Sequence, residues 1–288
     1  MTTILAVIDP QESVHHALER CKQLPPEADL DIHAVAFVEN DTAANFKAAY
    51  AEKRDWIDEL VTPYIADGYK VTTEVVHFQK LYEAVIDVAT KINADFVVKP
   101  MRKHSLLQSV VRTSTDWNLI RHCNFPMLLV SELDTTAGKP LLAAVDVCSG
   151  EENHEKLNEV VMELAKGLAA VLNMPIELVN AWRAATPMMA VGSVDSTPYP
   201  TPADLHKEHK QASQALGESN GIEASKVHVE EGAPAYVINH VADAVGAGLI
   251  VMGTVARTGI SGALIGNTAE GVLEGSNCDV MVVKLTAE

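Results

Sequence analysis

At 288 residues the chain is long enough for two ordinary domains, and a hydrophobic share of 48% can fill their cores. With 22 basic against 39 acidic residues the formal net charge is −17, which repels nucleic-acid backbones and anionic lipid, so neither is expected as a partner. No run of about eighteen apolar residues reads as a membrane span, the opening MTTILAVIDP lacks the basic start of a signal peptide, and Cys21, Cys123, Cys148 and Cys278 form no CxxC pair, so a cytoplasmic, reducing setting is expected.

The first half reads as five strands at roughly 3–8, 31–38, 71–77, 95–99 and 127–130 with helices between them. Between the second and third strands, Phe46, Tyr50, Trp56, Ile57, Leu60, Val61 and Tyr64 recur at helical spacing on one face. The polar segment Ser131 to Pro140 reads as a linker. Five further strands follow at roughly 141–146, 176–182, 226–230, 248–253 and 279–284. The halves repeat one another. Ile4 to Asp9 resembles Leu141 to Asp146, while Phe96 against Leu249 and Met127 against Val280 both lie 153 positions apart. A repeat of this size is a duplicated domain, here about 1–132 and 138–288. Near-continuous apolar strands alternating with helices predict an α/β fold of two tandem five-stranded parallel-sheet, Rossmann-like domains, with ligands beyond the carboxyl ends of the strands.

The run Gly253 to Thr268, GTVARTGISGALIGNT, lies between the fourth strand of the second half and a helix-like AEGVLEG. Backbone N–H groups can gather around an anion at such a place. The spacing from Gly253 to Gly266, the strand-end Asp146 and the closing NCDVMVVK resemble the signature of the universal stress protein family, with the tandem arrangement closest to its E-type members. The resemblance covers nearly the whole chain, with its motif confined to the second half.

It implies an ATP- or AMP-binding fold, often paired across the last strand, with Mg²⁺ only alongside ATP. Phosphate contacts would fall on Gly253, Gly266, Asn267 and Thr268, and base and ribose contacts on Asp146 and Ala181. Two positions depart from the pattern. Ala256 replaces the second glycine, at roughly 1 kcal/mol if positive φ is needed there. Asn267 replaces a hydroxyl residue, although its amide can still donate. Arg257 could add a charge-assisted contact. The alternative is that the glycines only turn the strand into the helix.

The 153-residue offset places Pro100 opposite Gly253, Lys103 opposite Ala256, Thr113 opposite Gly266 and Ser114 opposite Asn267. The first half therefore keeps no loop glycine and is expected to be degenerate. Its Lys99, Arg102, Lys103 and His104 read as a solvated or inter-domain cluster, or as point charges for an anion. Neither the adjacent His15 and His16 nor His206 and His209 form a metal-ligand pattern, and no metal is expected. Cys148, two residues past Asp146, is either a half-buried loop thiol or a redox sensor. The long connection from Trp182 to Pro202, with Met188 and Met189, reads as a lid or as an inter-domain loop.

With no positioned general base and no Walker lysine, the expected protein is a nucleotide-binding stress-response module and not an enzyme, although slow ATP hydrolysis stays open. It would act through conformation or protein partners, as a monomeric pseudo-dimer or a homodimer. The alternative is a nucleotide-free interaction or apolar-ligand protein built as an intramolecular pseudo-dimer joined through its fifth strands.

Overall fold

The computed structural model describes residues 1–39, 46–101, 114–132, 135–184, 200–254 and 266–285, with backbone alone at 46–49 and 114–115. The N-terminal half runs β1 (Thr2–Ile8), α1 (His16–Cys21), β2 (Leu30–Glu39), α2 (Phe46–Ala66), β3 (Lys70–Phe78), α3 (Leu81–Lys91), β4 (Phe96–Pro100), α4 (Ser114–His122) and β5 (Met127–Val130). The C-terminal half runs β6 (Leu141–Val145), α5 (Glu152–Leu172), β7 (Ile176–Trp182), α6 (Pro202–Ser219), β8 (Val227–Glu231), α7 (Pro234–Val245), β9 (Leu249–Gly253), α8 (Asn267–Gly275) and β10 (Asp279–Val283). Every expected strand is present, shifted by no more than one residue at either end.

The two five-stranded arrays fuse into one ten-stranded sheet of order β3-β2-β1-β4-β5-β10-β9-β6-β7-β8. Neighbours are parallel except β5 and β10, which pair antiparallel with Met281 opposite Leu128. Each half thus satisfies its fifth-strand edge on the other, and the sheet ends at β3 and β8. Helices on both faces explain why β6 and β10 are buried along their whole length, whereas the terminal strands β3 and β8 are mostly part-exposed. On one face a single core crosses the seam, gathering Val85 of α3, Leu119 of α4, Val237 of α7 and Leu273 of α8. The opposite face carries two cores, under α1 and α2 and under α5, bridged by Leu128.

A buried ion pair also ties the halves. Arg20 of α1 meets Asp279 at the start of β10, Nε to Oδ2 at 2.6 Å, and Ser131 donates to Asp279 Oδ1 from its amide and its hydroxyl, both at 2.8 Å. The segment expected to be a polar linker is therefore partly structural: Ser131 and Thr136 are both buried, and Gln23 accepts from the amide and hydroxyl of Thr136. Residues 133 and 134 lie outside the described part.

Candidate functional site

Strand order reverses between β6 and β9, which run parallel with Ala144 opposite Met252. Their carboxyl ends diverge into helices on opposite faces, and the space between them is a cavity of about 340 Å³. Six expected site residues meet there. Asp146 follows β6, Ala181 lies on β7, Gly253 ends β9, and Gly266, Asn267 and Thr268 begin α8. The remaining two, Ala256 and Arg257, lie outside the described residues, as does most of the segment read as a lid.

The two glycines do different work. A Cβ on Gly253 would stand 2.3 Å from Leu157 Cγ and 2.4 Å from one of its Cδ atoms, so this position is small because α5 packs onto β9. Gly266 caps α8 with φ −64° and ψ 135°, which any residue adopts, and a Cβ there would meet nothing nearer than Thr254 Oγ1 at 4.0 Å. Its bareness serves neither backbone nor packing. It leaves the helix start open to the cavity. No side chain caps α8, and its first internal bond runs from Glu270 N to Gly266 O. Among the described residues, no acceptor meets the amides of Asn267, Thr268 and Ala269. The Thr254 amide, by contrast, is already spent on Val283 O at 2.8 Å. Three free donors at the positive end of a helix are the chemistry an anion requires.

Sequence reasoning missed the supports from α5. Asn158 grips the backbone of Asp146 twice, accepting from its N–H at 3.0 Å and donating to its carbonyl at 2.8 Å. His154, one turn earlier, places Nδ1 3.0 Å from Asp146 Oδ2 and Nε2 3.6 Å from Glu151 Oε2. The i, i+4 spacing of His154 and Asn158, directly after a strand-end aspartate, was the available signal. Behind them the buried Asn180 donates to Val145 O and accepts from His209. His206 and His209 instead flank the Trp182 ring. Among the described residues no group of three His, Cys, Asp or Glu is placed to hold a metal.

Lys99 corrects part of the expected N-terminal basic cluster. It is buried, 2.7 Å from Asp116 of α4. The offset sets Lys99 where the C-terminal half has Met252 and Asp116 where it has Ala269, so a buried ion pair occupies positions that are apolar in the other half. Arg102, Lys103 and His104 lie outside the described residues.

The universal stress protein family model matches residues 1–131 and 139–284. The chain belongs to the universal stress protein family. It is 31% identical over 294 residues to "Universal stress protein E" of Escherichia coli K12, covering 98% of this chain and 93% of that one. The "Universal stress protein E homolog" of Haemophilus influenzae is 28% identical, at 98% and 96% coverage. Among solved structures, a universal stress protein of Pseudomonas aeruginosa UCBPP-PA14 superposes with a TM-score of 0.79 at 26% identity, covering 98% of this chain and 92% of that one. The tandem, stress-response membership is thus shown. No helix among the described residues is long and apolar enough to cross a membrane.

Cys148 bears on the site because it follows Asp146 closely. Burial and the carboxylates of Glu208 and Asp146 push its thiol up, which makes thiolate scarce at neutral pH and disfavours a sensor. Cys21, Cys123 and Cys278 are buried, and burial pushes Cys21 to about 12. Thiol titration of the native protein should therefore find one slow cysteine, Cys148, with the other three released only by urea. Rapid labelling of Cys148 would revive the sensor.

Proposed function

We propose that the C-terminal half binds an adenine nucleotide, ATP or AMP, with Mg²⁺ only alongside ATP, and that the protein is a cytoplasmic binding module read by protein partners. The observation that carries this reading is the uncapped start of α8 at Gly266, opening into a cavity that also holds Asp146 and Ala181. The phosphate would sit on the amides of 267–269, and the ribose would reach the free oxygen of an Asp146 that α5 already orients. The ionisable side chains described in the lining are Asp146, Glu151 and His154, so phosphate is met by the main chain and not by lysine or arginine, and modest affinity follows. His154 Nε2 faces Glu151 and not a nucleophile, an arrangement for holding Asp146 in place.

Equilibrium dialysis with labelled ATP tests this. The wild type should bind saturably, and Gly266→Trp, which fills the helix start, should weaken binding at least about tenfold, a loss of roughly 1.4 kcal/mol or more. The alternative, a nucleotide-free pseudo-dimer, draws on the intramolecular β5–β10 junction. Absence of binding at millimolar ATP in both proteins would establish that reading in place of the first.

A further inference from the structure

The N-terminal half holds a second cavity, of about 730 Å³, at the matching place beyond β1, β2 and β4. The nucleotide reading leaves it unused. It lacks the other half's glycines: Pro100, which has no N–H, stands opposite Gly253, and the Lys99–Asp116 pair stands where the other half has Met252 and Ala269. The open part is walled by Phe37 and Phe78, edge to face at 6.5 Å between ring centroids, and by Tyr82 at the start of α3.

The charges in the lining are unevenly matched. Lys99 is held by Asp116 at 2.7 Å, Lys80 by Glu83 at 2.8 Å, and Lys53 lies 5.2 Å above the Trp56 ring. On the acidic side, Asp9 is engaged by the Gln11 amide at 3.0 Å, while among the described residues no side chain is seen to hydrogen-bond to the Glu12 or Glu39 carboxylate, Lys99 acting on Glu12 only through its charge. One Glu12 carboxylate oxygen is buried with no donor to meet it, which is costly unless a guest supplies one. Burial raises the Glu12 carboxyl, with Lys99 drawing it back and Glu132 raising it further.

We propose that this cavity binds an organic cation, a primary amine or guanidine on an apolar, ring-sized body. The cationic head meets Glu12, with Glu39 at the rim, and the body lies against Phe37, Phe78 and Tyr82, whose faces favour a cation. The volume suits a small-molecule guest, and the net charge of −17 draws cations and repels anions. The two halves would then hold ligands of opposite charge.

Calorimetric titration of the full chain with phenethylamine, set against 3-phenylpropionate as the same body with the opposite charge, tests the proposal. The amine should bind saturably at one site, unaffected by ATP, and the acid should not bind. Glu12→Gln, isosteric and uncharged, should weaken the amine about tenfold while leaving the thermal melt and any ATP binding unchanged. Should Glu12→Gln fail to fold, Glu39→Gln must weaken the amine and Phe78→Leu must reduce its affinity. The proposal is overturned if phenethylamine, tyramine and benzamidine all fail to saturate at millimolar concentration. It is equally overturned if acid and amine bind alike, or if the folded variants bind as the wild type does. ATP dialysis reports on the other half, so either reading can fail alone.

Discussion

Asp279→Ala is expected to destabilise the protein by about 3–5 kcal/mol, because it strands a buried guanidinium. Arg20 and Asp279 are 6% and 1% exposed, and Asp279 also accepts from the Ser131 amide and hydroxyl. The loss is a large share of the ~5–15 kcal/mol that holds a typical folded protein together, and should lower the melting temperature by about 10 °C. The double variant Arg20→Met with Asp279→Leu should recover much of it, since replacing both ions by apolar groups removes the stranded charge. Recovery stays partial because Ser131 still loses its acceptor. Urea denaturation of wild type, single and double variants decides the matter. An Asp279→Ala cost below about 1 kcal/mol would mean the pair behaves as a surface bridge and does not hold the halves.

Burial raises the Asp279 carboxyl, and Arg20 and Ser131 pull it back; the ionised carboxylate is the state that meets the guanidinium at 2.6 Å.

The strands were legible because both faces of the sheet are covered, so β1, β6 and β10 read as unbroken apolar runs. The duplication was legible from one constant offset, whereas the seam at the fifth strands stood only as what the family resemblance implied and as part of the alternative reading. Side-chain pairings that join distant elements were not legible. Lys99 and Asp116 lie on a strand and the helix after it, and nothing in their spacing marks a buried pair. Arg20 and Asp279 lie in different halves. The α5 clamp on Asp146 was hidden because His154 and Asn158 read as ordinary polar positions until the helix is placed behind β6. The glycine motif was read as one phosphate device or as a plain turn, whereas Gly253 is kept small by Leu157 and Gly266 is crowded by no neighbour.

That division gives the second large expectation. Gly253→Ala should destabilise the fold by about 1–3 kcal/mol, the usual cost of overpacking a filled core. Leu157 shares a core with Val161, Leu249 and Val251 and also borders the cavity, so it escapes the new methyl only by giving up that packing and turning into the ligand space. Adding Leu157→Ala should return part of the loss at Gly253→Ala, because the clash disappears although the leucine's own packing goes with it. Gly266→Ala should cost below about 1 kcal/mol, since alanine is only a weaker N-cap than glycine and meets no neighbour. Its effect should fall on ATP instead, because Gly266 lines the cavity beside the start of α8 and the methyl takes up room there. Urea midpoints and ATP dialysis on the same four proteins separate the two roles. Equal loss of stability at 253 and 266 would show that both glycines serve the turn alone, and the argument for an open anion site at α8 would fail with it.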